Sequence, residues 1–174
     1  GVFDPIRFTP NPEAGASIAG SILLFVNPWG TRKQDIEAAL MHGLTHGATN
    51  GARTTMEAID MAVDAGILTE RDVRPVKDLA SGSPQFRAVC GVDPEGETLR
   101  AGEGITYIRL GRTHLDLPSP NEMAQANVSQ RVAIALVRAM VYGSLVALQD
   151  REGIVMLDEA WIFLEASQAE VVRA

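Results

Sequence analysis

One cysteine, two lysines and an aromatic content of 5% are the shortages of this sequence, and each excludes a class of protein. Cys90 has no partner for an internal disulfide, so the chain is not a disulfide-stapled scaffold, and a reduced, cytoplasmic setting is expected. Its apolar neighbours in "FRAVCG" mark it as a core residue rather than a nucleophile. The lysines, Lys33 and Lys77, stand outside any glycine-rich loop, and no Gly-x-x-x-x-Gly-Lys-Ser/Thr occurs. By itself the chain therefore has no cradle of backbone N–H groups for the phosphates of a nucleotide. Basic runs are missing as well. With a formal charge of −7, direct DNA binding is not expected, because phosphate contacts need clustered Lys and Arg. No uncharged apolar run reaches the roughly 18 residues of a membrane span, and there is no fixed-period repeat or low-complexity tract. The opening "GVFDPIRF" has neither an initiator Met nor a signal-peptide pattern, and "QAEVVRA" stops within a helical pattern. A piece excised from a longer protein is the expectation.

What is present is enough for one sizeable core: 174 residues, 46% of them hydrophobic. Pro5, Pro10, Asn11 and Pro12 predict an extended or turn-like opening over residues 1–12. From Glu13 the run "EAGASIAGSILLFV" reads as a helix stopped at "NPWG" by Pro28 and Gly30. A helix over 32–46 follows from Ile36, Leu40 and Leu44 on one face. Another over 54–65 follows from Met56, Ile59, Ala62 and Val63, with Gly66 as its stop. Thr69 starts "TERDVRPVKDLA", with acids in its first turn and Pro75 as a kink or boundary. "SPQFRAVCG" adds a turn or two. Residues 13–91 thus read as an all-helical unit.

After Cys90 the texture changes. "GVDPEGETLRAGEG" is rich in turn residues, and "ITYIRL" over 105–110 has the β-branched and aromatic content of a strand. Asn127 and Gln130 stand at capping-box spacing before an apolar helix over 128–150, roughly 30 Å long at about 1.5 Å per residue. Arg131 and Arg138 interrupt it, which favours a buried core helix over a membrane span. Then Ile154, Val155, Met156 and Leu157 run without alternation, the pattern of a strand over 153–158 covered on both faces of a parallel sheet. The long helix before it serves as the crossover that such a strand requires. Ligands in these sheets sit at the carboxyl ends of the strands, where Asp158 and Glu159 fall. Two adjacent carboxylates there suit a Walker B element: Asp158 holding Mg²⁺ through its water shell, Glu159 orienting the water that attacks a γ-phosphate. The plainer reading is that Asp158 caps a helix beginning near Ala160.

The segment "IVMLDEAWIFLEA", supported by "GVFDPIRF" and by "GITYIRLGRTHLDLP" followed by the long helix, resembles the ATPases of type IV (conjugative) secretion systems, in the version carried by conjugative elements of Gram-positive bacteria. The resemblance implies an α/β, partly RecA-like P-loop core with a parallel sheet and an inserted all-helical subdomain, helices dominating overall. On that pattern residues 1–12 lead into the core, 13–91 are the insertion, and 92–174 return to the sheet. It implies a parent that hydrolyses ATP with Mg²⁺ as a hexamer at the cytoplasmic face of the membrane, partnered by secretion-channel components, with Glu159 catalytic and Asp158 associated with Mg²⁺ and nucleotide. Lacking the phosphate loop, this chain alone is expected to be inactive.

Other features read more plainly. "DPEGE", Asp93 to Glu97, is a turn. His42 and His46 share a helix face at i, i+4, but no Glu lies between them and His114 is remote, so a zinc site is not favoured. Asp35, Glu37 and the acids of "TERD" are solvated faces and caps. Trp161, Ile162, Phe163 and Leu164 are expected to pack the helix after the carboxylates against the sheet, a core role, and Trp29 in "NPWG" to cover the helical unit rather than anchor a neighbouring subunit. Two rival classes stay open. One is a non-catalytic helical interaction module; the other is a DNA-contacting module built on Arg53, Arg71, Arg74 and Arg87.

Overall fold

The helix starts are set by capping side chains. In the computed structural model, which describes residues 3–92 and 115–148 together with Ile154 and Met156, Asp4 caps α1 (Pro5–Phe8) and Asn11 caps α2 (Pro12–Val26). After a 3₁₀ turn at Gly30–Arg32, α3 spans Lys33–Thr49. Thr54 caps α4 (Thr55–Asp64), Thr69 caps α5 (Glu70–Gly82) and Ser83 caps α6 (Pro84–Cys90). A 3₁₀ segment at Pro120–Gln125 leads to α7 (Val128–Ala147), where Asn127 and Gln130 form the expected reciprocal capping box. Each cap satisfies N–H groups that the first turn of a helix leaves without intrahelical partners.

Prolines act differently from the expectation at the opening. Pro5 and Pro12 occupy first helical positions, where the missing N–H costs nothing and the fixed φ suits the helix. Pro75 lies inside α5, which continues through it to Gly82.

One continuous core runs from Ile6 through Leu23, Leu40, Leu44, Ile59, Val76 and Phe86 to Leu136 and Ala139. α3 packs on both α2 and α4, α5 on α6, and α7 lies across α1, α2 and α6. The α3–α4 seam is built from small residues. A methyl group added at Gly43 would come within 2.8 Å of Ala62 Cβ, and one at Gly47 within 2.6 Å of the Ala58 carbonyl oxygen. α7 has the length and apolarity of a membrane-crossing helix, yet its Val132, Ala135, Leu136 and Ala139 belong to the shared core. The Arg138 guanidinium lies 4.2 Å from the centre of the Phe25 ring on α2, within cation–π range.

The parallel sheet expected from the sequence is overturned. The described residues form an all-helical fold with no strand among them. The continuously apolar run at 154–157 predicts a doubly covered strand, which has to be buried. Ile154 and Met156 are instead 87% and 90% exposed, outside any strand. The α7 helix, expected as a sheet crossover, finds its apolar partners on other helices. The strand expected over 105–110 lies outside the described residues.

Candidate functional site

Asp158 and Glu159, the carboxylates singled out by the sequence, lie outside the described residues, as do Asp93 to Glu97, His114 and Trp161 to Leu164. The structure brings together a different carboxylate site, one that the sequence reading passed over.

Asp4 is fully buried. Its Oδ1 accepts hydrogen bonds from Ile6 N–H at 2.9 Å and from the Thr55 hydroxyl at 2.9 Å, and its Oδ2 accepts from Thr55 N–H at 2.7 Å. The side chain thus caps its own helix, α1, and also meets the first residue of α4, far along the chain. Phe3 N–H, donating to the Ala88 carbonyl at 2.8 Å, ties the same segment to α6. Beside the carboxylate stands Gly91, left-handed at φ 61°. A Cβ there would meet Asp4 Oδ2 at 2.5 Å and Thr54 Cβ at 2.8 Å, so only glycine fits both the backbone and the space. Burial raises the Asp4 carboxyl to about 7, against the pull of the hydrogen bonds from Thr55, Ile6 and Arg7 N–H. The adjacent Cys90 thiol, also buried, is pushed well above its ordinary range by burial first and by Asp4 second, so it is a core residue, as its neighbours suggest, and no nucleophile.

A second polar knot surrounds Trp29. The ring is 7% exposed, and its Nε1–H donates to the Asp72 carbonyl at 2.7 Å. Arg32 pairs with the Asp72 carboxylate at 3.0 Å, and Asp72 closes a capping box with Thr69 at the start of α5. Trp29 therefore pins the turn after α2 onto α5, which is the covering role expected of it. The Thr69 hydroxyl, more than any other partner, holds the Asp72 carboxyl below the ordinary aspartate range, with Arg32 assisting. Lys77 bridges Asp60 at 2.9 Å and Glu70 at 3.6 Å, joining α5 to α4.

The remaining sequence candidates are spread over the surface. Arg53 pairs with Glu57 and Arg74 with Asp78 within their own helical turns, while Arg71 and Arg87 are exposed. His42 is exposed, and His46 Nδ1 lies 3.4 Å from the Asn50 side-chain amide. Between the starts of α6 and α7, Ser83, Gln85, Asp116 and Ser129, with Leu115, Val132 and Ala133, line a cleft of about 40 Å³. That volume admits a water molecule, whereas small-molecule sites run to roughly 300–1,000 Å³. Among the described residues no group of three or more His, Cys, Asp or Glu side chains could hold a metal ion.

Asp4 was missed because Pro5 was read as a sign of extended chain, although Asp-Pro is equally a cap followed by a first helical residue. Its bond to Thr55 has no local signature. Comparison with protein-family models, curated proteins and solved structures finds no match to this chain.

Proposed function

We propose that the chain is part of an ATP-hydrolysing motor of a type IV, conjugative secretion system, to which it contributes Asp158, Glu159 and an all-helical unit. The Asp-Glu-Ala-Trp run after "IVML" carries this reading. In the motor, Mg²⁺ and ATP supply the phosphoryl chemistry. Asp158 would hold the water shell of the metal, and Glu159 would orient the attacking water. The phosphate loop comes from another part of the parent protein.

The parent is placed at the cytoplasmic face of the membrane with channel components as partners, moving DNA or protein.

The test is Mg²⁺-dependent ATP hydrolysis by the parent protein beside its Glu159→Gln variant. Turnover by the parent, with nucleotide bound but not hydrolysed by the variant, supports the motor. Equal hydrolysis by both, or no nucleotide binding by either, refutes it. The second reading, a non-catalytic helical interaction module, is favoured by the continuous helical core that the described residues form from Ile6 to Ala139.

A further inference from the structure

We propose that Asp4 is a proton-sensitive clasp, holding the segment at residues 3–9 onto the start of α4 more tightly when its carboxyl group is neutral than when it is charged. The geometry carries this. Asp4 is 0% exposed, with both oxygens engaged by donors from two helix starts far apart in sequence. Every one of those donors is uncharged. A buried carboxylate lacking a cation bears a desolvation cost that neutral donors offset only in part.

Among the described residues no compensating charge faces Asp4. From α4 the facing groups are Thr54 and Thr55; its nearest charges, Glu57 and Arg53, pair with each other in an exposed turn. From α6 it is Cys90, whose own ionisation burial suppresses. Within α1, Arg7 acts on Asp4 through its backbone N–H, and among the described residues no side-chain cation, including Arg87 of α6 and Arg131 or Arg138 of α7, is one of the groups that set the acidity of Asp4.

Both protonation states have a partner. The Thr55 hydroxyl, 2.9 Å from Oδ1, donates to the carboxylate or, with its hydrogen rotated, accepts from the acid. Burial places the carboxyl near neutrality, at about 7, so the switch falls where small pH changes act.

The sign follows from linkage. The clasped state binds the Asp4 proton more tightly than the open state does, so opening becomes easier as pH rises from about 4 to about 7 and levels off above that. In that window the opening constant rises by up to about tenfold for each pH unit.

Two measurements on the intact chain decide the matter. In an NMR pH titration, the Thr55 and Ile6 amide resonances are expected to move together with a midpoint near neutrality. Hydrogen exchange at Phe3 and Ile6, corrected for the intrinsic pH dependence, is expected to lose protection as pH rises towards 7, and Asp4→Asn abolishes both responses. A midpoint near 4, flat resonances, or protection with the same pH dependence in Asp4→Asn overturns the proposal. Should Asp4→Asn fail to fold, the resonance midpoint of the unaltered chain decides alone.

Discussion

Replacing Gly47 by alanine sets two effects against each other. In a helix interior alanine is favoured over glycine by about 1 kcal/mol, which taken alone predicts a more stable protein. The structure predicts the reverse. The new methyl group would stand 2.6 Å from the Ala58 carbonyl oxygen and closer still to Ala58 Cα, where comfortable contact is about 3.5–4.0 Å. Both atoms belong to the backbone of α4, so no rotamer change relieves the overlap, and the helices have to part by about 1 Å. Overpacking of this kind costs about 1–3 kcal/mol, and a backbone-against-backbone clash belongs at the upper end. After the helix-propensity gain, a net loss of about 1–2 kcal/mol remains. For a chain of this size the melting temperature falls by about 2–8 °C. Urea unfolding followed by circular dichroism measures the change, with an unaltered m-value showing that only stability has moved. Gly82→Ala is the matched control: nothing lies within 4 Å of its added methyl group, and stability should hold or rise slightly. A Gly47→Ala protein as stable as the unaltered chain would refute the close α3–α4 seam.

Trp29→Phe removes the indole donor to the Asp72 carbonyl and part of a buried ring, for an expected loss of about 2 kcal/mol in urea unfolding; a loss below about 0.5 kcal/mol would show that the turn after α2 is not held by this contact. The Asp72 carboxyl has its native value lowered from 3.8, so its contribution is present above that value and is lost as pH falls through the lower native one. Asp72→Asn should therefore flatten the acid limb of a stability–pH profile, opposite in sign to the Asp4 effect, and an unchanged limb would contradict the assignment. Asn127→Ala breaks the capping box of α7 and should cost about 1 kcal/mol. Amides in the first turn of α7 should exchange faster, and unchanged exchange there would mean the cap carries no energy.

Local chemistry was legible in the sequence wherever a helix announces its own ends. The helix start at Thr69, the capping box at Asn127, the stop at Gly66 and the four-residue spacing of Ile36, Leu40 and Leu44 depend on neighbours within a turn or two. The cap at Thr54 has the same short reach. The sheet failed as an inference because a continuous apolar run such as "IVML" states only that burial is favourable, without naming the geometry or the partner. The Asp4–Thr55 bond was hidden for a related reason, since it joins two helix starts that only tertiary packing brings together. Gly91 entered the sequence reading only as the end of the helical unit; its duty of leaving room for a carboxylate oxygen belongs to a contact with the far end of the segment. Of the candidate site, the sequence offered Asp158 and Glu159 by type and spacing alone.

The placement of α7 has a consequence for the order in which the chain becomes stable. Arg138 and Gly143 of α7 settle against Phe25 of α2 and Phe8 of α1, surfaces synthesised roughly a hundred residues earlier. At about 5–20 residues per second, a ribosome takes on the order of 3–11 s to pass from the end of α6 to the end of α7. During that interval α1 to α6 can pair with one another, but the faces of α1 and α2 that α7 covers stand open to water and to other nascent chains. Closing so long a loop is entropically slow. Among the described helices the docking of α7 is therefore the last to become possible, and conditions that delay translation between α6 and α7 lengthen the exposure of those faces.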